Sequence, residues 1–178
     1  MTPPRTDPVA HPTSRRVPAL FVYGAAVVVV AAIGGLAASE GQGAGGWYGA
    51  ADKPFFTPPG WVFGPVWTAL YAAMAIAAWR LSRVRESTRS DPGAPAAASA
   101  ALRLWWVQLV LNFLWTPLFF AAQWLWVGLV DIVLLDALLA VLVVRAWRLD
   151  RLAGLLLGPY LAWVLFATAL NAGVALLN

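Results

Sequence analysis

Residues 47–74, "WYGAADKPFFTPPGWVFGPVWTALYAAM", change character midway. The first part holds the chain's only lysine, Lys53, with Pro54, Pro58 and Pro59 among aromatics. The second part enters an apolar run that continues almost unbroken to Leu81. A helix needs roughly 20 residues to cross a hydrocarbon core of about 30 Å. Outward from this switch, runs of that size fall at 18–38, 61–82, 102–121, 124–146 and 152–176. They show no alternation of period two and are too long for barrel strands, so helices are the spanning structure that satisfies their backbone. The expectation is an all-α membrane protein, a five-transmembrane-helix bundle.

Composition agrees. Of 178 residues, 61% are hydrophobic and 11% charged, with a mean hydropathy of +0.73. A soluble domain carries about 25% charged residues. Residues 1–17 are polar and proline-rich with little to bury, and are expected to form a disordered tail ahead of a helical domain over 18–178. The first run is longer than the 7–15 apolar residues of a signal peptide and reads as a retained anchor. Residues 83–100 mix charge, Pro, Ser and Ala and read as a flexible loop.

If the helices alternate, all eleven arginines fall on one side and Lys53 alone on the other. The positive-inside rule then places the N-terminus in the cytoplasm and the C-terminus outside. The loop 39–60 is external. The net charge of +4 is explained by this asymmetry, since the arginines are spread over a tail and two loops; no nucleic-acid partner is expected. Membrane lipid is the partner that composition requires.

Two readings of the external loop stand. Trp47, Tyr48 and Trp61 suit an interfacial aromatic belt. Alternatively, the prolines stiffen the segment while "GQGAGGW" supplies a hinge, which makes a lid. The helices show matching faces. Trp67, Tyr71 and Met74 recur at helical spacing, as do Gln108, Asn112 and Trp115, and Tyr160, Trp163, Ala167 and Asn171. Amides are costly in a bilayer unless paired or facing a polar cavity, so Gln108, Asn112 and Asn171 should point inward. Such faces either glue helices together or line a pocket that stacks a flat ligand.

The blocks "WYGAADKPFFTPPGWVFGPVWTALYAAM", "QLVLNFLWTPLFF" and "PYLAWVLFATALN" resemble, in order, the TspO/MBR family of tryptophan-rich sensory proteins and translocator proteins, also called peripheral-type benzodiazepine receptors. The resemblance implies five helices around one cavity, with the first loop as lid. It also implies a receptor or transporter for tetrapyrroles, with porphyrin or haem as ligand and no required cofactor. A sensory or stress-homeostasis role in a bacterial inner membrane would follow. Some members are described as degrading porphyrin in light, for which Trp67 and Trp163 are the candidates, and others as binding sterols. By position, the resemblance makes Trp47 the lid tryptophan, Trp67 and Trp163 cavity tryptophans, and Asn112 the polar residue facing the ligand. Tyr71, Gln108, Trp115, Ala167 and Asn171 lie in the same blocks. Lys53, Pro54, Pro58 and Pro59 match the lid motif.

Ala172 and Leu176 stand where animal relatives carry a tyrosine and an arginine linked to sterol recognition. No Lys or Arg follows Tyr160, so sterol carriage is the alternative with least support. A structural or lipid-organising role is a further alternative.

The chain has no cysteine, and its one histidine, His11, lies in the tail, so the bundle offers neither common axial ligand for haem iron. No catalytic triad or phosphate-cradling loop can be assembled, and no metal site is expected. Asp131 and Asp136 lie within the fourth run but roughly 140° apart around a helix, which argues against a paired acid–base site. They read as inward carboxylates tying helices together. The spacing of Gly154 and Gly158 permits either packing within the bundle or a homodimer contact.

The orientation is testable in a chain without cysteine. Gly43→Cys should react with an impermeant thiol reagent in intact cells and Ser90→Cys should not; the reverse pattern overturns the topology.

Overall fold

The computed structural model describes residues 16–42, 45–87 and 92–178. Among them are no strands and five helices long and apolar enough to span a membrane. The long helices are α1 (Arg16–Gln42), α3 (Phe63–Arg85), α4 (Ala94–Thr116), α5 (Leu125–Leu149) and α6 (Arg151–Leu177). A single-turn helix, α2 (Trp47–Ala50), sits in the first loop, and a 3-10 turn (Gly60–Val62) leads into α3. The chain is an integral membrane protein.

Several boundaries differ from expectation, for local reasons. Residues 1–15 of the expected tail lie outside the described residues, but Arg16 and Val17 begin α1. The expected flexible loop 83–100 is largely helical: α3 runs on to Arg85 and α4 starts at Ala94. Pro95 suits a first helical turn and the alanines after it are the best helix formers, with Ala98 and Ala101 fully buried. Residues 88–91 lie outside the described residues. The first loop is shorter than expected because α1 continues through Gln42. Gly41 is no hinge: a Cβ there would come within 2.9 Å of the Phe120 ring, so its bareness lets α1 meet that ring. Gly45, at φ +90°, makes the left-handed turn that starts the loop.

α4 does not end cleanly. Pro117 cannot donate to the helical ladder, and the chain passes into a π-helical turn over Pro117–Ala121, closed by the Ala122 N–H on the Pro117 carbonyl at 2.8 Å. That widened turn swings Phe119 and Phe120 inward. Gln123, at φ 58°, then reverses the chain into α5.

α5 packs along α6 and α4, and α1 along α3. Met74, Leu81, Trp105, Leu139, Leu142, Leu157 and Tyr160 are fully buried at the centre. α1 commits only one stripe to the bundle, Tyr23, Val27, Val30 and Gly34, and leaves Phe21, Val28, Val29 and Leu36 exposed. The spacing "GLLLG" is half used within the chain. A Cβ on Gly154 would fall 2.7 Å from the Trp147 backbone in α5, whereas Gly158 has open space.

The arginine-bearing end is closed by Asp150. Its carboxylate accepts from the Ala153 N–H at 2.9 Å, capping α6, and from Arg80 of α3, whose Nε lies 2.9 and 3.0 Å from its two oxygens. Burial opposes ionisation of Asp150, but the hydrogen bonds from Arg80 and the α6 backbone prevail and hold the carboxyl below its usual range. A depressed folded pKa means that the stabilisation is complete above the unfolded carboxylate value of about 3.9 and fades as pH falls below it. Asp150→Ala should therefore lower stability by roughly 1–2 kcal/mol in detergent at neutral pH. The melting-temperature gap to wild type should narrow below about pH 4. A gap independent of pH would contradict this assignment.

Candidate ligand-binding site

A cavity of about 670 Å³ lies between α1, α3, the end of α4 with its π turn, and α6. Its aromatic lining comes from Phe63, Trp67, Tyr71, Trp115, Phe120 and Trp163; α1 contributes small or short side chains from Gly24 to Ser39. None of the lining residues is charged. Ligand pockets commonly span about 300–1,000 Å³ and combine apolar walls with a few placed polar groups.

Helical spacing assembles the aromatic wall. Trp67 and Tyr71, one turn apart on α3, place their rings 5.3 Å apart at a 30° tilt. Trp163 meets Phe63 edge-on at 5.8 Å and leans on Phe166 at 5.5 Å. Its indole N–H is buried without a hydrogen-bond partner. Trp115 stacks on Phe119 at 5.2 Å, a contact made by the π turn.

Behind this wall runs a directed chain of hydrogen bonds. The Tyr71 hydroxyl donates to Asn112 Oδ1 at 2.9 Å, Asn112 Nδ2 donates to the Tyr160 hydroxyl at 3.1 Å, and Tyr160 donates to Gln108 Oε1 at 2.8 Å. Each hydroxyl both receives or offers along one direction, an arrangement in which neighbouring bonds polarise one another. Gln108 Nε2, at the buried end, has no partner. A second amide braces the outer half: Asn171 accepts from the Trp115 indole at 3.0 Å and donates to the Leu125 carbonyl at 2.9 Å.

Of the expected site residues, Trp67, Tyr71, Trp115, Trp163 and Ala167 line the cavity. Asn112 and Gln108 do not; they lie behind Tyr71, with exposures of 3% and 0%. Asn171 also stands behind the wall, under Trp115. The loop departs most from expectation. Neither Trp47 nor Lys53, Pro54, Pro58 or Pro59 lines the cavity, and Gly60 alone of the expected lid does. Trp47 instead donates its N–H to the Phe120 carbonyl at 2.7 Å. A Cβ on Gly173 of α6 would overlap Pro54, so the loop lies directly on that helix. Asp52 and Asn178 exchange two hydrogen bonds, at 3.1 and 3.0 Å. Lys53 Nζ is spent on the carbonyls of Gly49 and Ala51 and sits 5.1 Å from the Tyr48 ring.

Sequence reasoning missed Phe63, Phe120 and the α1 lining. Gly24, Ala31, Gly34 and Ala38 were the available signal, a small-residue face on a helix otherwise rich in valine. Asp136 accepts from the Thr168 hydroxyl at 2.7 Å, joining α5 to α6 as an interhelical tie. Asp131 is buried with one carboxylate oxygen unpartnered.

Five spanning helices around an uncharged, tryptophan-walled cavity define a class of small membrane proteins with a single hydrophobic binding chamber. The TspO/MBR family model matches residues 23–177, and the chain belongs to that family. It is 41% identical over 140 residues to the tryptophan-rich protein TspO of Archaeoglobus fulgidus, covering 74% of this chain and 80% of that one. It is 38% identical over 134 residues to protein CrtK of Rhodobacter capsulatus, covering 75% and 79%. The human translocator protein is 38% identical over 125 residues, covering 70% of each chain.

Asn112→Leu would orphan the hydroxyls of Tyr71 and Tyr160 together. It should destabilise the protein by on the order of 1 kcal/mol in detergent unfolding. Wild-type stability in this variant would remove Asn112 from its bracing role.

Proposed function

We propose that the cavity binds a tetrapyrrole and that the protein acts as a membrane receptor or transporter for it, with a sensory role. The observation that carries this reading is the uncharged cavity of about 670 Å³ bounded by Trp67, Tyr71, Trp115 and Trp163. Large flat faces on several sides suit stacking with an extended aromatic ring. The partnerless Trp163 N–H supplies one donor for an acceptor on the ligand's edge. Acid groups on the macrocycle find no counter-charge inside and would point out of the cavity. Family membership supports the reading, since one relative is named a tryptophan-rich sensory protein and another a translocator protein.

A second reading, light-dependent porphyrin degradation, draws on Trp67 and Trp163 both lining the same chamber. A porphyrin excited between them could take an electron from an indole with no catalytic base.

Titration of the purified protein with protoporphyrin, haem and a sterol, followed by tryptophan quenching, tests the first reading. Porphyrins should quench saturably and the sterol should not compete. Trp67→Phe and Trp163→Phe should each weaken protoporphyrin binding by about twofold to tenfold, the scale of one aromatic contact. No saturable quenching by either tetrapyrrole overturns it. Illumination of the complex tests the second: porphyrin absorbance should decay with the wild type and persist with the double variant.

A further inference from the structure

The cavity has a side opening. Its lining includes residues that are themselves exposed: Val28 and Gly35 on α1, and Gly64, Thr68 and Ala72 on α3. Val28 is 65% exposed. Ala72 lies nine residues into α3, hence about 14 Å along the helix from its outer end. Val28 lies eleven residues before Ser39, about 16 Å down α1. The slot between α1 and α3 thus reaches roughly half the depth of a hydrocarbon core of about 30 Å.

We infer that this slot is the doorway of the cavity, and that a ligand dissolved in the bilayer enters sideways between α1 and α3 while the external loop stays docked. The inference rests on the binding function proposed above and adds the route. Three observations carry it independently of one another.

The rim is built from absences. Gly24, Gly35 and Gly64 all line the cavity, and at each a Cβ would meet nothing within 4 Å. Gly34, by contrast, faces Thr116 at 3.5 Å, so close packing explains that glycine and not the other three.

The rim is also compatible with lipid. Its hydroxyls are satisfied within their own helices: Thr68 donates to the Gly64 carbonyl at 2.9 Å and Ser39 to the Leu36 carbonyl at 2.7 Å. Polar groups facing hydrocarbon require such internal partners.

The loop, finally, is a poor gate. It is held by the Trp47 bond to Phe120, the paired Asp52–Asn178 bonds and the seating of Pro54 on Gly173, and residues 47–59 contribute nothing to the lining.

The doorway has a kinetic signature. Bulk added at the rim raises the barrier to entry and to exit equally, so both rates fall while the equilibrium stays put. Gly35→Leu with Gly64→Leu is the suitable variant, because both positions have open space and leucine is the better helix former. Stopped-flow quenching by protoporphyrin in lipid nanodiscs should show association and dissociation each slowed tenfold or more, with Kd within about twofold of wild type. Asn178→Ala, which releases the loop's bonds to α6, should leave both rates within about twofold. Wild-type rates in the leucine variant, or faster exchange in Asn178→Ala, would overturn the doorway.

A ligand-free arm keeps the two proposals separable. In nanodiscs of lipid brominated at mid-chain, acyl chains entering the slot should quench Trp67 and Trp163, read as the difference from Trp67→Phe with Trp163→Phe. The leucine variant should lose that quenching. Quenching without any porphyrin binding would leave the doorway and overturn the assigned ligand; no quenching of these two indoles overturns the doorway.

Discussion

The hydrogen-bond chain from Tyr71 through Asn112 and Tyr160 to Gln108 is the constraint on which the rest of the bundle depends. In a bilayer, lipid tails are as apolar as leucine, so burying apolar side chains does little to choose one helix pairing over another. A polar group with a single available partner does choose. This chain takes its members from α3, α4 and α6 and thereby fixes the rotation of each. Once Tyr160 faces the core, Trp163 is turned toward the cavity; once Tyr71 is tied to Asn112, Trp67 on the previous turn follows it into the wall.

The remaining elements divide into a rigid wall and a lightly held partner. Asn171 and the π turn fix Trp115, Phe119 and Phe120, and the loop docks on that outer assembly. α1 stands apart, joined along one stripe and lined with glycine and alanine where it passes the cavity. The TspO/MBR fold of this chain thus pairs a braced aromatic surface with a helix whose small residues leave room beside it. Such a division suits a chamber that must keep its shape while exchanging a large ligand with its surroundings.

Much of this was legible in the sequence. The five apolar runs gave the helices, because their length and lack of alternation leave no other spanning structure. The spacing of Gln108, Asn112 and Asn171 with aromatics put these amides inside, since exposing them to lipid is costly. Whether each amide faced a ligand or another side chain was beyond periodicity, which fixes a face but names no partner. The loop misled for a similar reason: prolines signal stiffness, and only the contacts of Pro54, Trp47 and Asp52 show what the stiff segment rests on. The helical start at Ala94 was hidden by alanine and serine, which read equally as linker. Pro117 marked the end of α4 but gave no sign of the wider turn that follows.

A double-mutant cycle on Tyr71→Phe and Tyr160→Phe tests the central claim most directly. The two hydroxyls do not bond to each other and meet only through Asn112. If the chain acts as one unit, unfolding in detergent should show a coupling energy on the order of 1 kcal/mol between the substitutions. Additivity to within about 0.3 kcal/mol would mean that the bonds act separately and that something else sets the helices' rotation.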